Sequence, residues 1–451
     1  MRNSRLVKEL GFHLLLGFLA LRFSSVANLW MLFYFLYAVS QTIQHKNRGG
    51  EAHWYAAYFM AYEAFYRMTG TSGLPYEFGK YSVILLLCVG MMVELKRKKN
   101  TSAPLFYLFV LLPSILLTDF GDLNENRKQI LFYLSGPICL AVATRYFYGR
   151  NFNAIQLRKT LYYAVLGFIP MLIYLYGYVP LEDVEFNTDA NFATTGGFGS
   201  NQVSTAIGLA IMLLMLAYLR KEVLFKYKYL DWGILIYAIF RGLLSFSRGG
   251  MIIPVVSLML AMILFSSNVD FIKLKIKNLI PKLVLIAGLI SGVFYYANEL
   301  TGDKLLLRYT GFNVEGDKKD MTSGRLEMVE SDWELFTHNP VLGVGVGMAK
   351  VERAKYGSHV RASHTELTRL LAEHGSFGLI ALLILLLFPI SQVLKNKKLG
   401  KANFLLVAFV VFAIGTMSHS AMRMAIPAFI YGMAFLNFKK DDPTPREQIS
   451  K

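Results

Sequence analysis

Cysteine and charge are what this chain has least of. Two cysteines, Cys88 and Cys139, occur in 451 residues, both inside apolar runs, so neither a disulfide framework nor a cysteine-built zinc site is expected. Charged side chains make up 17% of the chain, against about 25% in soluble domains. The missing charges leave surface that must face something other than water. A soluble enzyme, a secreted disulfide scaffold and a single-pass receptor are all excluded.

Apolar residues, 55% of the chain, fill the gap. They recur in stretches long enough to cross a hydrocarbon core of roughly 30 Å, separated by short polar hinges. Hydropathy places about fourteen spans near 10–23, 26–43, 52–68, 79–95, 103–118, 129–146, 159–178, 200–219, 228–246, 250–267, 279–297, 375–393, 402–418 and 421–437. The first run, with its basic start and Ser25-Val26-Ala27, also has the form of a signal peptide. In a chain with so many later spans it is read as a helix. The expected fold is all-α, a polytopic integral membrane helical bundle with one large outer loop holding short amphipathic helices.

A net charge of +17 would suggest nucleic acid in a soluble protein, but here the basic residues sit in the hinges and no nucleic-acid partner is expected. With the amino terminus in the cytoplasm, alternate hinges collect lysine and arginine, from Arg2, Arg5 and Lys8 to Lys439 and Lys440. The intervening hinges are neutral or acidic, with Glu77, then Asp119, Asp122 and Glu125, then Glu182, Asp183 and Glu185. Both termini are therefore expected inside. The chain divides into eleven spans over 1–297, a large outer loop over 298–374, three spans over 375–437 and a cytoplasmic tail over 438–451. The long loop exceeds any ordinary connection and reads as functional. A second outward segment, 180–199, is acidic and then glycine-rich.

Within the long loop, Leu326, Val329, Trp333 and Phe336 recur at helical spacing behind Ser323-Gly324-Arg325, and the run stops at Asn339 before Pro340. This predicts an amphipathic helix with Arg325 in its first turn and its apolar stripe on the membrane surface or the bundle. Gly343, Gly345 and Gly347 alternate, giving a backbone free to bend closely. Ser363-His364-Thr365-Glu366 has the spacing of a capping box, so a helix should start with Ser363 as N-cap and His364 in first position. There the helix dipole favours neutral imidazole, able to accept a hydroxyl proton. These residues alone more readily describe a capped helix with an ordinary surface histidine.

Arg248 lies between two spans and must meet a partner or a polar cavity, because lipid would cost it some 2.5–3.5 kcal/mol or more. Arg241 is a second candidate, and Arg423 stands with His419 in the outer hinge between the last two spans; snorkelling to the interface also explains such arginines. Glu63 and Arg67, four apart, share a helix face and read as a structural ion pair, with a direct role in substrate handling as the alternative. Asp183 and Glu185 could offer carboxylates to a metal, or simply be solvated.

Ser247-Arg248-Gly249-Gly250 opening a span, Ser323-Gly324-Arg325, Asn339-Pro340-Val341-Leu342-Gly343-Val344-Gly345, and His364 with Gly375 and Gly378 together resemble the O-antigen ligase and O-antigen polymerase superfamily over about 200–395. One departure is Thr365, where that family often has Asn, Ser or Gln. The resemblance implies transfer of a glycan from an undecaprenyl diphosphate carrier to an acceptor hydroxyl at the periplasmic face of the bacterial inner membrane, without cofactor or metal. Its partners would be the lipid-linked oligosaccharide, the bilayer, and a chain-length regulator or flippase. It further implies His364, Arg248 and Arg325 as catalytic, the histidine as base on the acceptor and the arginines on the diphosphate. Asn201, Arg241, Arg423 and Glu366 are the substrate-binding candidates. Polymerase and ligase differ only in acceptor, and the span count with the 180–199 loop leans to the polymerase. A lipid flippase would show repeats and paired midplane charges. A peptidoglycan-type polymerase would use an outer carboxylate such as Asp183.

Overall fold

The computed structural model describes residues 3–71, 73–94, 101–265, 276–318, 322, 324–355, 365–395 and 400–438. Helices follow one another as α1 (Asn3–Arg22), α2 (Ser25–Gln44), α3 (Glu51–Met68), α4 (Phe78–Val93), α5 (Ala103–Phe109), α6 (Leu123–Phe147), α7 (Ala154–Tyr178), α8 (Ser200–Leu219) and α9 (Lys228–Leu244). The second half continues with α10 (Arg248–Phe265), α11 (Ile276–Leu300), α12 (Lys304–Thr310), α13 (Arg325–His338), α14 (Ala349–Lys355), α15 (Glu366–Lys395), α16 (Gly400–Met417) and α17 (Ala425–Met433). One short parallel pair joins β1 (Asn151–Phe152) to β2 (Asn437–Phe438). The fold is thus all-α, as expected. Among the described residues, five helices are long and apolar enough to cross a membrane, α2, α6, α7, α8 and α15, and several shorter apolar helices accompany them.

α3 is the axis of the bundle. All 18 of its residues are buried, and it packs against α2, α4, α7 and α17. Apolar and aromatic side chains on every face suit a helix with neighbours all round. The Glu63–Arg67 pair forms within it and extends to Glu77 and Lys80 of the α4 approach, with Arg67 Nη2 3.1 Å from Glu77 Oε2.

Helices stand at each stretch expected to span, but two are shorter than hydropathy suggested. The stretch near 103–118 splits into α5 and a 3₁₀ turn, Pro113–Leu117. Pro113 has no N–H to continue the α-helical ladder, and its ring clashes with the carbonyl four residues earlier. The last stretch is reduced to the nine residues of α17. Ahead of it Ala421 takes φ 51°, and the hinge backbone is bonded sideways to α3 and α15, as described below.

α15 bends sharply at Gly375, whose φ of 58° and ψ of −134° suit glycine alone. The bend leaves the carbonyls of Ala372 and Glu373 to the glycine-rich loop, where Val344 and Gly345 donate to them at 2.9 and 3.1 Å. Gly343, Gly345 and Gly347 all have positive φ, and a Cβ on Gly343 would sit 2.5 Å from the His374 nitrogen. A Cβ on Gly375 would stand 2.6 Å from the Gly343 nitrogen. Gly375→Ala therefore combines left-handed strain with a backbone collision, and is expected to cost about 2–5 kcal/mol. Denaturant unfolding of the detergent-solubilised protein measures this. Ser376→Ala, which removes one exposed hydrogen bond to Val341, should stay within about 1 kcal/mol.

α13 runs from Arg325 to His338, the limits its sequence suggests. Its buried face is Asp332 and Leu335, packed toward α14 and α15, whereas Leu326 and Trp333 of the apolar stripe are each 57% exposed. For these two residues the stripe does not lie on the bundle. The helix at 363–366 begins later than its capping pattern suggests, since Thr365 is not yet helical and Glu366 is the first residue of α15. Ser363 and His364 lie outside the described residues.

Candidate active site

The site is built where α8, α10 and α13 begin. α8 and α10 approach closely because Gly208 and Gly250 face each other. A Cβ on Gly208 would stand 2.1 Å from the Gly250 carbonyl oxygen. The turn feeding α10 is tight, with buried Phe246 at φ 55°, an uncommon conformation for a bulky residue. Phe246 is held by stacking on Phe186, ring centroids 5.8 Å apart. Next to it, Ser247 Oγ donates to Asn201 Oδ1 at 2.9 Å and accepts from Ser204 Oγ at 2.8 Å. Asn201 therefore fixes the turn from which Arg248 projects, and the structure brings these two sequence candidates together.

Two loop helices carry further arginines to this point. Arg248 Nη1 donates to the Arg308 carbonyl at 3.0 Å. Arg308, at the end of α12, donates from Nε to the Phe246 carbonyl at 3.1 Å and from Nη1 to the Thr188 carbonyl at 3.0 Å. Burial first, then the charge of Arg248, pushes the Arg308 guanidinium below its ordinary range, with Asp189 opposing and Arg325 adding to the effect. Arg325 at the start of α13 is likewise pushed down by burial and by Arg248. Three guanidiniums thus crowd together with Asp189 as the carboxylate acting on Arg308, at a point where three helix N-termini add partial positive charge.

His419 closes one side of the cluster. Its Nε2 is 3.2 Å from Thr205 Oγ1 and its Nδ1 donates to the Gly415 carbonyl at 3.2 Å. Burial holds its imidazole down near pKa 4, and the Arg325 charge contributes. It is neutral at physiological pH. A Cβ on Gly249 would meet its ring at 2.8 Å, so the glycine after Arg248 makes room for it.

The other candidates stand elsewhere. Arg241 Nη2 donates to the Thr194 carbonyl at 2.8 Å, pinning the 180–199 segment to α9. The Arg423 carbonyl accepts from Arg67 Nη1 at 2.8 Å, and its guanidinium, pushed down by burial, lies in the fields of Tyr133, Tyr76, Arg369 and Glu366. Glu366 is ion-paired with Arg369 and accepts from the Met422 N–H at 3.2 Å, while Arg369 Nη1 binds Glu373 at 2.5 Å. On the other side of the same hinge Glu63 Oε2 accepts from the Ala425 N–H at 2.6 Å. Here four carboxylates, Glu63, Glu77, Glu366 and Glu373, meet Arg67, Lys80, Arg369 and Arg423. Among the described residues, carboxylates and cations are equal in number in that network.

Thr365, the described neighbour of His364, is buried beside Thr368, which donates to Asp332 Oδ2 at 2.7 Å; Arg353 binds the other oxygen at 2.5 Å. Asp332 lies on α13 two turns from Arg325, about 10 Å along the axis. The start of α15 is thereby tied to the helix that starts at Arg325. Among the described residues no group of His, Cys, Asp and Glu is arranged to hold a metal ion.

Arg308 was missed by sequence reading. Its signal was a lone cation closing the apolar run Leu305-Leu306-Leu307 inside the long loop, a pattern shared by many snorkelling residues. No curated protein matches this chain. Residues 233–383 match the model of a family described as O-antigen ligase, a segment that holds Arg248, Arg308, Arg325 and His364. That match, over about a third of the chain, supports the resemblance of this segment to the O-antigen ligase and polymerase superfamily.

Proposed function

We propose that the chain is a polymerase of surface-polysaccharide repeat units. It moves a glycan from undecaprenyl diphosphate to the hydroxyl of another lipid-linked repeat unit, at the periplasmic face of the bacterial inner membrane, with both termini in the cytoplasm. The observation that supports this reading is the convergence of three guanidiniums, Arg248, Arg308 and Arg325, inside the matched segment. A departing lipid diphosphate carries charge of the opposite sign, and guanidinium forks bind such oxygens in pairs.

In the transfer the acceptor oxygen attacks the anomeric carbon, and the bond from that carbon to the diphosphate oxygen breaks. The hydroxyl proton passes to an imidazole nitrogen of His364, and the leaving charge settles among the arginines. Attack opposite the leaving group inverts the anomeric centre. The arginines supply the charge that a metal ion would otherwise bring, so the scheme needs none. The lipid tail reaches the site sideways between helices. A ligase is the second reading, favoured by the description of the matched family; it keeps donor and chemistry and takes lipid A core as acceptor.

Surface glycans of a deletion strain, separated on a gel after complementation, test both. Core carrying a single repeat marks a lost polymerase, and polymer that never reaches the core marks a lost ligase. His364→Ala and Arg308→Ala are each expected to leave the defect uncorrected at wild-type protein levels. Full rescue by His364→Ala overturns its role as base, and an unchanged glycan pattern in the deletion strain overturns both readings.

A further inference from the structure

The ends of α8 and α9 remote from the arginine cluster hold a second site. A cavity of about 350 Å³ opens between the last turns of α8 and the first turns of α9, inside the range of about 300–1,000 Å³ typical of ligand sites. Leu214, Tyr218, Trp232 and Leu235 wall it, and the exposed side chains of Lys221 and Lys228 line it too. Tyr218 and Trp232 meet edge to face with centroids 5.1 Å apart, and Lys228 Nζ lies 5.8 Å from the Tyr218 ring. Tyrosine, tryptophan and lysine at the end of apolar helices are what the polar edge of a bilayer selects.

The acidic residues of the wall are already engaged, with one exception. Asp231 accepts from the N–H groups of Leu224 and Phe225 at 2.8 and 2.9 Å. Glu222 Oε1 binds Arg220 at 2.6 Å, but its buried Oε2 has no hydrogen-bond partner among the described residues. With Arg220, which binds Glu222, and Arg158, whose charge acts on Asp231, the described cations around the wall outnumber its two carboxylates. A complementary ligand brings net negative charge, a hydrogen-bond donor for Glu222 Oε2 and an apolar tail.

We propose that this cavity binds a phosphatidylglycerol-type phospholipid from the adjoining leaflet. Its phosphodiester lies between Lys221 and Lys228, a glycerol hydroxyl donates to Glu222, and an acyl chain follows Leu214, Trp232 and Leu235. The site goes beyond the glycan-transfer reading and stands or falls without it.

The test uses the full chain in a neutral detergent, titrated with phosphatidylglycerol brominated on its acyl chains, with tryptophan fluorescence as readout. The difference between wild type and Trp232→Phe isolates quenching at Trp232. Wild type is expected to saturate, and Lys221→Ala with Lys228→Ala to raise the half-saturating lipid about 25-fold, taking about fivefold for each lysine. An unchanged unfolding midpoint shows that the double variant is folded, and native mass spectrometry of the wild type gives the retained lipid without any variant. Equal quenching by brominated phosphatidylcholine or phosphatidylethanolamine overturns the proposal, because neither brings net negative charge. Reversal by millimolar inorganic phosphate overturns it in favour of a free-phosphate site.

Discussion

Arg248→Lys is expected to lower the initial rate of glycan transfer about 10²–10³-fold in membranes that contain the variant at wild-type levels. Lysine keeps the charge but not the fork, and here the fork has two tasks. One nitrogen of Arg248 is already donated to the Arg308 carbonyl, which holds α12 against the start of α10. In the proposed transfer the same guanidinium also meets the charge that develops as the diphosphate departs. An ammonium can serve one of these directions at a time. Arg308→Lys is expected to fall as far for a different reason, since it gives up the bonds to the Phe246 and Thr188 carbonyls that position the turn. Timed transfer of a labelled lipid-linked repeat checks both. A loss below tenfold in Arg248→Lys would show that the cluster does not bind the leaving group.

Arg369→Met is the substitution with the largest expected effect on folding. Arg369 is buried with Glu366 on one side and Glu373 on the other, both buried as well. Removing it leaves two buried carboxylates without their ion-pair partner, with Arg423 in the field of Glu366 and Lys350 in that of Glu373. Breaking a buried pair in this way costs about 3–5 kcal/mol, a large part of the 5–15 kcal/mol that holds a typical domain together. The variant should fail to accumulate as folded protein. Adding Glu366→Gln and Glu373→Gln removes the orphaned charges and should restore most of the unfolding midpoint, although the Met422 bond to Glu366 is weakened. If the single variant melts like the wild type, the network is solvated and contributes little. The Tyr133 ring, 5.1 Å from the Arg369 guanidinium, reports the same event by its fluorescence environment.

What the sequence made legible is what local rules govern. The limits of α13 follow from Gly324 and from Asn339 before Pro340. The Glu63–Arg67 pair follows from a spacing of four, and the close approach at Gly343 from alternating glycines. The break at Pro113 also lay within reach, but an apolar window counts proline as neutral and passes over it. Arg308 did not stand out, because its role rests on carbonyls of residues 188 and 246 that only the folded chain brings near. Glu366 fitted a capping pattern, and instead its partners are Arg369 and the backbone of residue 422. Pairings across dozens of residues leave no periodic trace, and the net charge of a cluster is a property of the assembled fold.

The hinge ahead of α17 has a consequence in time. Glu63 accepts its last hydrogen bond from the Ala425 N–H and Arg67 donates its last to the Arg423 carbonyl, more than 350 positions further along the chain. At about 5–20 residues per second, a ribosome needs on the order of 20–70 s to deliver them. Arg67 and Lys80 arrive within a few turns of Glu63 and Glu77, and the two cations balance the two carboxylates at once. The Glu63 carboxylate then waits with one oxygen unclaimed until synthesis is nearly over. A nascent protein interrupted before residue 423 would hold its helices without the strap that joins α3 to α15, a difference that membrane proteases can read.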